Sequence, residues 1–374
     1  MLIAGILSAA LFVGCSAREG SAADFSVELY KPQYAGGFEI LGKEGSASTL
    51  IRVRDPWQGA DSVVTELFIA RGGEDAPAGF EGQVVEGDAR RIVAMSSTHI
   101  AMLDAFGAVR TVVGVSGIDY IFNRDIQARR DSVGDVGYEG NVNYERLMSL
   151  DPDLVLLYGV NGASAMEGKL RELGIPYMYV GDYLEDSPLG KAEWLVALAE
   201  ITGRREAGVK AFAGIPERYN ALKQKVEAAG LDRPKILLNT PYNDAWMMPP
   251  VDSYAARLVR DAGGVLAYDR NTSNSSVAVD MEEAYMLADQ AYAWLNTGAA
   301  NTLEDVAALC PKFTDTPPFR EGRIYNNNLR STPAGGNDYF ESAVVNPDLV
   351  LRDMVRIFHP ELVEEDFVYY KKLN

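Results

Sequence analysis

The sequence predicts an α/β protein of two Rossmann-like lobes with parallel sheets, bridged by a long helix and preceded by a small N-terminal β appendage. Short apolar runs alternate with helical segments from Arg91 onward, as in parallel sheets that are covered by helices. A segment that reads as cap, glutamate, short helix, turn and buried strand occurs around Glu145 and again around Glu282. Together these observations predict two halves of similar build, each with an acidic helix start.

Length and charge limit the possible architectures and partners. A chain of 374 residues with 47% hydrophobic content has room for two lobes, because single cores stop growing at about 250 to 300 residues. The net charge of −18 opposes contact with phosphate backbones, and no basic stripe is present to attract them. This composition excludes nucleic acid as a partner, and we expect a monomer.

Residues 1–14 form an apolar run of signal-peptide length that is too short to span a membrane. The run ends at Leu11-Phe-Val-Gly-Cys15, which resembles the lipobox of bacterial lipoproteins, although Phe12 replaces the usual leucine. We therefore expect residues 1–15 to be a lipoprotein signal with Cys15 acylated, and residues 16–24 to be a flexible tether. No Lys or Arg precedes the run, which leaves the true start codon open; a soluble secretory signal with a chance cysteine is the alternative.

Acylation of Cys15 leaves Cys310 without a disulfide partner, so the fold must rest on its core. No acidic run follows Cys15 as a surface export signal, which favours the periplasmic face. We expect a periplasmic protein that its N-terminal lipid anchors to a membrane without spanning it.

The segment 25–87 is strand-like and corresponds to the β appendage. Gly-rich turns separate the predicted strands at 26–30, 49–53 and 62–69. A cluster of Gly, Asp and Pro follows, and the pattern changes to alternating strands and helices after a boundary near Gly87.

The first lobe is expected at 88–187. Because ligands of parallel sheets gather at the carboxyl ends of the strands, the loops that follow these strands are the expected site. The predicted strands lie at 91–95, 111–115, 154–157 and 177–180.

A helical connector is expected at 188–230 and the second lobe at 231–374. The connector comprises helices at 189–201 and 206–229, and Pro216 is expected to kink or split the second helix near Ala213. In the second lobe we predict strands at 235–238 and 323–325, and helices at 253–261 and 347–358.

Several blocks of the sequence carry a family resemblance. The block Asn143-Tyr-Glu-Arg-Leu-Met-Ser-Leu-Asp-Pro-Asp-Leu-Val155 is the most specific, and the order and spacing of the others agree with it. Over about residues 89–360 the chain resembles the substrate-binding proteins of ABC importers for iron siderophores, haem and cobalamin, the class III periplasmic binding proteins with a helical backbone. The other blocks are Arg91-Ile-Val-Ala-Met-Ser96, Val113-Gly-Val-Ser116, Leu173-Gly-Ile-Pro176, Asp261-Ala-Gly-Gly264 and the Glu282 segment.

The resemblance implies a substrate-binding protein, not an enzyme, with no intrinsic cofactor. It implies that the ligand is held in the cleft between the lobes. We expect this ligand to be an iron chelate of the siderophore type, with haem or cobalamin as the alternatives. The implied partner is the ABC permease, with its ATPase, in the inner membrane.

Members of this family dock onto permease arginines through one glutamate at the apex of each lobe, and these glutamates map onto Glu145 and Glu282. Two exposed carboxylates at a fixed separation would orient the cleft over the translocation pathway. The alternative is that both only complement helix dipoles, which contributes about 0.3 to 1 kcal/mol each. Glu283 lies beside Glu282 and is spaced to form a capping box with Asp280, which leaves open which of the two docks.

Candidate ligand contacts lie in the loops that follow strands. Ser97, Thr98 and His99 begin a helix, and the free N–H groups of a helix start favour an anionic ligand group. The family has a Thr-Glu pair one turn later, where this chain has Ile100-Ala101.

Aromatic rings in these loops suit a macrocycle or an aromatic chelator, with core or rim packing as the alternative. A polar, turn-rich stretch after residue 326 is also expected to close the cleft, and an arginine within it would either pair with ligand carboxylates or lie on the surface. The candidates are Tyr120, Tyr138, Tyr158 and Tyr183 in the first lobe, Tyr242 and Trp246 in the second, and Arg330 and Tyr339 in the polar stretch.

Three other functions compete with this interpretation. A zinc or manganese importer component needs a cluster of His and carboxylate ligands, whereas the chain has only His99 and His359, so no metal site is expected. A chelate-modifying enzyme stays open, although the sequence lacks a Gly-x-Ser-x-Gly elbow, a phosphate loop and a dinucleotide fingerprint. The third is an interaction lipoprotein whose working surface is the segment 25–85.

Overall fold

Three five-stranded sheets form the framework of the protein, whose computed structural model describes residues 21–160 and 162–374. The expected signal, the acylated Cys15 and most of the tether lie outside these ranges. Among the described residues, no helix combines the length and the apolar character needed to cross a bilayer.

The first sheet is the β appendage. It contains β1 (Val27–Tyr30), β2 (Phe38–Gly42), β3 (Thr49–Arg54), β4 (Val64–Ala70) and β5 (Gln83–Glu86). The strands follow this order across the sheet and pair antiparallel up to β4, whereas β5 lies parallel to β4. We did not predict β2 and β5, because turn-type glycines flank their short apolar runs. One face of the sheet packs into the main core, and the other buries Leu50 and Phe68 in a small cluster of its own.

Buried carboxylates fix the appendage to the rest of the protein. Glu193, which is fully buried, accepts hydrogen bonds from Tyr30 Oη (2.6 Å) and from three successive backbone N–H groups at 33–35 (2.7 to 2.8 Å). Glu185 accepts from two more N–H groups at 36–37, and Glu200 accepts from Thr49 Oγ1 at 2.7 Å. Because these acceptors all belong to residues 185–200, the appendage is held mainly by the start of the helical connector and the loop just before it.

The second sheet forms the first lobe. It is entirely parallel and runs in the order β12-β11-β6-β7-β8, so the predicted strands are confirmed and a short fifth strand is added at the edge. The elements of this lobe are β6 (Ile92–Ala94), α1 (Ser97–Ala105), β7 (Val112–Val115), α2 (Arg124–Ala128), β8 (Gly134–Asp135), β9 (Gly137–Tyr138), β10 (Asn141–Val142), α3 (Tyr144–Ser149), β11 (Leu154–Leu157), α4 (Glu167–Leu173) and β12 (Tyr177–Tyr179).

The connector consists of three helices, α5 (Pro188–Glu193), α6 (Leu195–Ile201) and α7 (Arg205–Ala229). The expected split at Pro216 is wrong, because α7 is one helix of 25 residues that contains this proline. Proline removes one backbone N–H, but Phe212, Ile215 and Tyr219 stay buried on one face around it, and this packing keeps the helix together. The break lies instead at Trp194, within the first predicted helix.

The third sheet forms the second lobe. Its order is β15-β13-β17-β18-β19, parallel except for the last strand, which is antiparallel to β18. The predicted strand at 235–238 and the predicted helix at 347–358 are confirmed. The elements are β13 (Lys235–Leu238), β14 (Trp246–Met248), α8 (Tyr254–Asp261), β15 (Val265–Leu266), β16 (Val277–Val279), α9 (Met281–Asp289), β17 (Ala293–Leu295), α10 (Leu303–Leu309), α11 (Pro317–Arg320), β18 (Ile324–Asn326), α12 (Pro347–Phe358) and β19 (Lys371–Lys372).

The repeated segment has the same local structure in both lobes. Asn143 caps α3 by accepting from Arg146 N (2.9 Å), and Asp280 caps α9 by accepting from the N–H groups of the second and third helical residues (3.0 and 2.8 Å). An antiparallel strand pair precedes each helix, β9 with β10 and β14 with β16, and a buried parallel strand follows it. The two halves of similar build that the sequence predicts are therefore present.

Candidate functional site

The carboxyl ends of the two parallel sheets border a shared cleft of about 1300 Å³. Parallel sheets bring the loops after their strands to one edge, so each lobe presents several loops to the same space. Ser97, Thr98, Tyr120, Tyr158 and Tyr183 line it from the first lobe. From the second lobe the loops that follow β13, β17 and β18 contribute Asn239, Thr240, Asn296, Asn327 and Asn328.

The polar stretch of the second lobe also reaches the cleft, and it contributes Tyr339. The ring of Tyr339 packs edge-on against Tyr369 and Tyr370, at 6.1 and 5.8 Å between centroids. Six of the predicted ligand contacts therefore line one space, namely Ser97, Thr98, Tyr120, Tyr158, Tyr183 and Tyr339.

His99 and Trp246 do not reach this space, and we correct both assignments. His99 points into the core, where burial lowers its pKa to about 3, so the imidazole is neutral. Trp246 packs at 5.3 Å against both Trp294 and Phe313 and donates its indole N–H to Leu238 O at 2.8 Å. Successive side chains of a helix point in directions that differ by about 100°, so Thr98 faces the cleft while the next residue faces the core.

The other three candidates lie outside the cleft lining. Tyr242 is 74% exposed, and Tyr138 is a neighbour of the cleft that packs edge-on against Tyr120 at 6.4 Å. Arg330 pairs with Asp338 at 3.0 Å and lies over the ring of Phe122 at 5.1 Å. Because its guanidinium is occupied by protein groups, Arg330 is not free to bind a ligand carboxylate in this structure.

Lys191 was missed by the sequence analysis and lines the cleft. Its Nζ donates to the carbonyls of Asp182 (3.0 Å) and Tyr183 (3.2 Å) and lies over the rings of Tyr183 (5.7 Å) and Tyr254 (5.1 Å). Burial lowers its pKa, although nearby carboxylates oppose that shift. The sequence feature that could have identified it is a lysine within the largely apolar start of the connector.

Asp182 is the buried carboxylate beside this lysine. Burial raises its pKa to about 6, while the charge of Lys191 and a hydrogen bond with Thr98 act in the opposite direction. Within the ranges 21–160 and 162–374, these are the only two charged side chains that line the cleft.

Amides and hydroxyls supply the rest of the polar lining. Asn239 and Asn296 follow β13 and β17 directly, and both adopt left-handed φ values of 68° and 64°, which asparagine tolerates better than most residues. The side chain of Asn239 has no partner among the described residues, and Asn296 Oδ1 accepts from Tyr370 Oη at 2.9 Å. No group of three or more His, Cys, Asp or Glu converges as a metal site in the described parts of the chain.

The polar stretch bridges the two lobes beside the cleft. Thr332 Oγ1 donates to Asp119 O at 2.9 Å, and Phe122 N donates to Glu341 Oε2 at 2.7 Å. A Cβ at Gly336 would lie 2.0 Å from Tyr120 O, so only glycine permits this close approach. These contacts hold the stretch across one side of the cleft.

Glu341 should make the stability of this bridge depend on pH. Burial raises its pKa to about 7, with Asp338 and Asp104 adding to the shift and the N–H groups of Phe122 and Asn123 opposing it. The folded state therefore keeps a proton that the unfolded chain loses near pH 4.5, and stability falls as pH rises through about 7. In Glu341→Gln, the free energy of unfolding relative to the native protein should rise by on the order of 3 kcal/mol between pH 4.5 and 8, measured by urea denaturation. A difference that is constant across this range contradicts the prediction.

The expected docking glutamates occupy equivalent positions. Glu145 and Glu282 are both exposed, both are the second residue of a helix, and neither has a side-chain partner among the described residues. Each helix leads back to the start of a parallel strand, so its N-terminus lies at the carboxyl edge of the sheet, the edge that borders the cleft. Glu283 instead forms an ion pair with Arg270 and makes no capping box.

Comparison of the sequence with known proteins finds a matching family model and several relatives. A family model for the periplasmic binding proteins matches residues 92–327. An uncharacterized lipoprotein of Methanocaldococcus jannaschii is 24% identical over 282 residues, which are 72% of this chain and 65% of that protein, slightly less than two thirds of its length. A second uncharacterized lipoprotein of the same organism is 26% identical over 330 residues, or 84% of this chain and 82% of that protein.

Solved structures share the fold at low sequence identity. A periplasmic heme binding protein from Pseudomonas aeruginosa superposes with a TM-score of 0.59 at 16% identity, covering 76% of this chain and 98% of that chain. The periplasmic vitamin B12 binding protein of Vibrio cholerae gives a TM-score of 0.53 at 14% identity, covering 72% and 96%. Both likenesses support the two-lobed α/β architecture.

Proposed function

Since this chain belongs to the periplasmic binding protein family, we propose that it is the solute-binding component of an ABC importer and carries an iron chelate of the siderophore type in its cleft. Members of this family bind solutes, which favours binding over catalysis. The cleft of about 1300 Å³ is larger than the pockets of about 300 to 1000 Å³ that hold drug-sized ligands, and therefore suits a bulky cargo.

The choice of cargo rests on the electrical neutrality of the cleft lining. Among the described residues, the lining has only Asp182 and Lys191 as charged groups, and they neutralise each other. A buried or partly buried anion needs cationic partners or several converging donors. Haem with its propionates and ferric catecholates with their high negative charge find no uncommitted cationic partner here, whereas a ferric hydroxamate is close to neutral.

A corrinoid is the second candidate because of the asparagines. Asn239, Asn296 and Asn327 present amide groups from three successive loops of the second lobe. Amides both donate and accept hydrogen bonds, so they complement a macrocycle that carries amide side chains. The same neutral lining accommodates this ligand.

Delivery is proposed to follow the family's plan. Glu145 and Glu282 would dock the loaded protein onto the permease, which works with its ATPase in the inner membrane. The lipoprotein relatives support anchoring through Cys15, so that the protein works in the periplasm on a lipid tether.

Tyr120 provides a test of the cleft as the binding site. It is 50% exposed and lines the cleft, whereas Tyr242 is 74% exposed and lies outside the lining. Tyr120→Ala should weaken binding of a ferric trihydroxamate about tenfold, because an aromatic wall is lost, and Tyr242→Ala should leave the affinity unchanged. Fluorescence quenching during titration measures both.

The same titration discriminates among cargoes. We expect the native protein to bind the ferric trihydroxamate more tightly than haem or a ferric catecholate, with cyanocobalamin testing the second candidate. Tight binding of haem would overturn the argument from the neutral lining. Absorption of the protein isolated from its own host then identifies the natural chelate.

A further inference from the structure

We propose that Trp57 of the β appendage is a positioning residue for the ligand cleft, because it holds in place the first-lobe loop that carries Tyr158. The proposal rests on the proposed function, since it assumes that a chelate binds in the cleft. Tyr158 directly follows β11, is half-buried and lines the cleft. Trp57 lies in the loop between β3 and β4. The appendage therefore contributes to binding through the conformation of a loop that belongs to the first lobe.

Trp57 contacts this loop at the residue after Tyr158. Gly159 is buried, and a Cβ at this position would lie 2.6 Å from Trp57 Cβ and 2.8 Å from Gly162 O. Only glycine permits the appendage and the loop to approach each other this closely. The backbone beside Tyr158 is therefore packed directly against the appendage.

Trp57 also supports the chain beyond this point, through Tyr179. The indole ring packs edge-on against the ring of Tyr179 at 5.1 Å between centroids. Tyr179 is fully buried, and its hydroxyl accepts from Ser164 N at 2.7 Å and donates to Glu167 Oε1 at 2.6 Å. Trp57 thus restrains the chain at Gly159 directly and at Ser164 through Tyr179.

The appendage loop that carries Trp57 is restrained by its own hydrogen bonds. Asp55 N donates to Val63 O at 2.8 Å and closes the base of the loop, and Ala60 N donates to Trp57 O at 3.0 Å within a turn. Pro56 is buried, and its ring fixes φ next to the indole. A cleft loop supported in this way is ordered before the ligand arrives, and this raises affinity because less ordering is needed on binding.

The test is a double-mutant cycle between Trp57 and Tyr158, with a ferric trihydroxamate as the probe. Trp57→Ala should weaken binding about fivefold and Tyr158→Ala about tenfold. When Tyr158 is already alanine, Trp57→Ala should change the affinity less than about twofold, because no ring is left to position. Trp57→Phe keeps an aromatic ring against Tyr179 and should restore most of the affinity.

A control variant and a measurement without ligand separate positioning from general damage to the appendage. Phe80 packs against Phe68 at 5.9 Å in the small separate cluster of the appendage, so Phe80→Ala should keep the native affinity. Hydrogen exchange of the Ser164 amide should become about tenfold faster in Trp57→Ala, because Tyr179 loses its support, and should stay unchanged in Phe80→Ala.

The outcomes for Trp57 and for the cleft are distinguishable. Additive losses in the double variant, or an equal loss in Phe80→Ala, reject the positioning role. If Tyr158→Ala binds normally while Tyr120→Ala is weakened, the cleft still holds the chelate and only the role of Trp57 is rejected. If the native protein does not bind the trihydroxamate, the hydroxamate cargo is wrong, and the cycle is run with haem or cyanocobalamin. Unchanged exchange at Ser164 in Trp57→Ala rejects the positioning role whatever the ligand.

Discussion

Replacing Glu145 and Glu282 together by alanine should reduce uptake of the chelate at least about tenfold while leaving its affinity for the isolated protein unchanged. Both carboxylates are exposed and free of partners among the described residues, so their removal costs the fold little. A docking contact acts only when permease is present, and for this reason binding and uptake should separate. Uptake by whole cells and titration of the purified variant measure the two effects.

A matched control is available on other helices. Glu206 in the first turn of α7 and Glu304 in the first turn of α10 are also exposed acidic residues at helix starts. Glu206→Ala with Glu304→Ala should retain normal uptake. If both double variants transport equally well, the glutamates of the repeat only complement helix dipoles, each contributing about 0.3 to 1 kcal/mol. Glu283→Ala should also transport normally, because that side chain is already paired with Arg270.

Glu193→Ala should lower the free energy of unfolding by about 3 to 5 kcal/mol. The buried carboxylate accepts from Tyr30 Oη and from three backbone N–H groups, and alanine leaves all four donors without their acceptor. Glu193→Gln keeps one oxygen and should lose about half as much. Denaturant titration gives the free energies, and limited proteolysis shows whether cleavage begins within residues 25–87.

Glu28→Ala is the control for this variant. Glu28 lies in the same appendage, and its side chain is 56% exposed and pairs only with Lys31 at 3.5 Å. Exposed pairs of this kind contribute about 0 to 1 kcal/mol, so little change is expected. Equal stability of the Glu193→Ala variant and the native protein would show that the appendage does not depend on this carboxylate.

Much of the fold follows from local pattern. The apolar runs predict the parallel strands because such strands are buried on both faces, and the caps Asn143 and Asp280 are recognisable because a helix start needs a side-chain acceptor. The connector shows the limit of local reasoning. Pro216 is unfavourable within a helix, yet tertiary packing of Phe212 and Tyr219 keeps α7 whole, and no local rule contains that packing.

The location of the cleft could be predicted from the sequence, but only some of the residues that line it could. Parallel topology predicts that the loops after strands converge, and Tyr120, Tyr158 and Tyr183 therefore line the cleft as expected. Which side chain of a loop turns inward depends on rotation that sequence does not encode, as His99 shows beside Thr98. Lys191 was missed because it comes from the connector, which the sequence did not place beside the cleft.

The carboxylates that anchor the appendage bear on how this architecture was inherited. Glu193 and Glu200 belong to the connector and Glu185 to the loop that precedes it, yet much of their hydrogen bonding serves residues 30–49. If the appendage were present without these carboxylates, its N–H and hydroxyl groups would lack acceptors. If the appendage were absent, the carboxylates would be buried without donors. We therefore expect related chains either to have both the appendage and these carboxylates or to lack both.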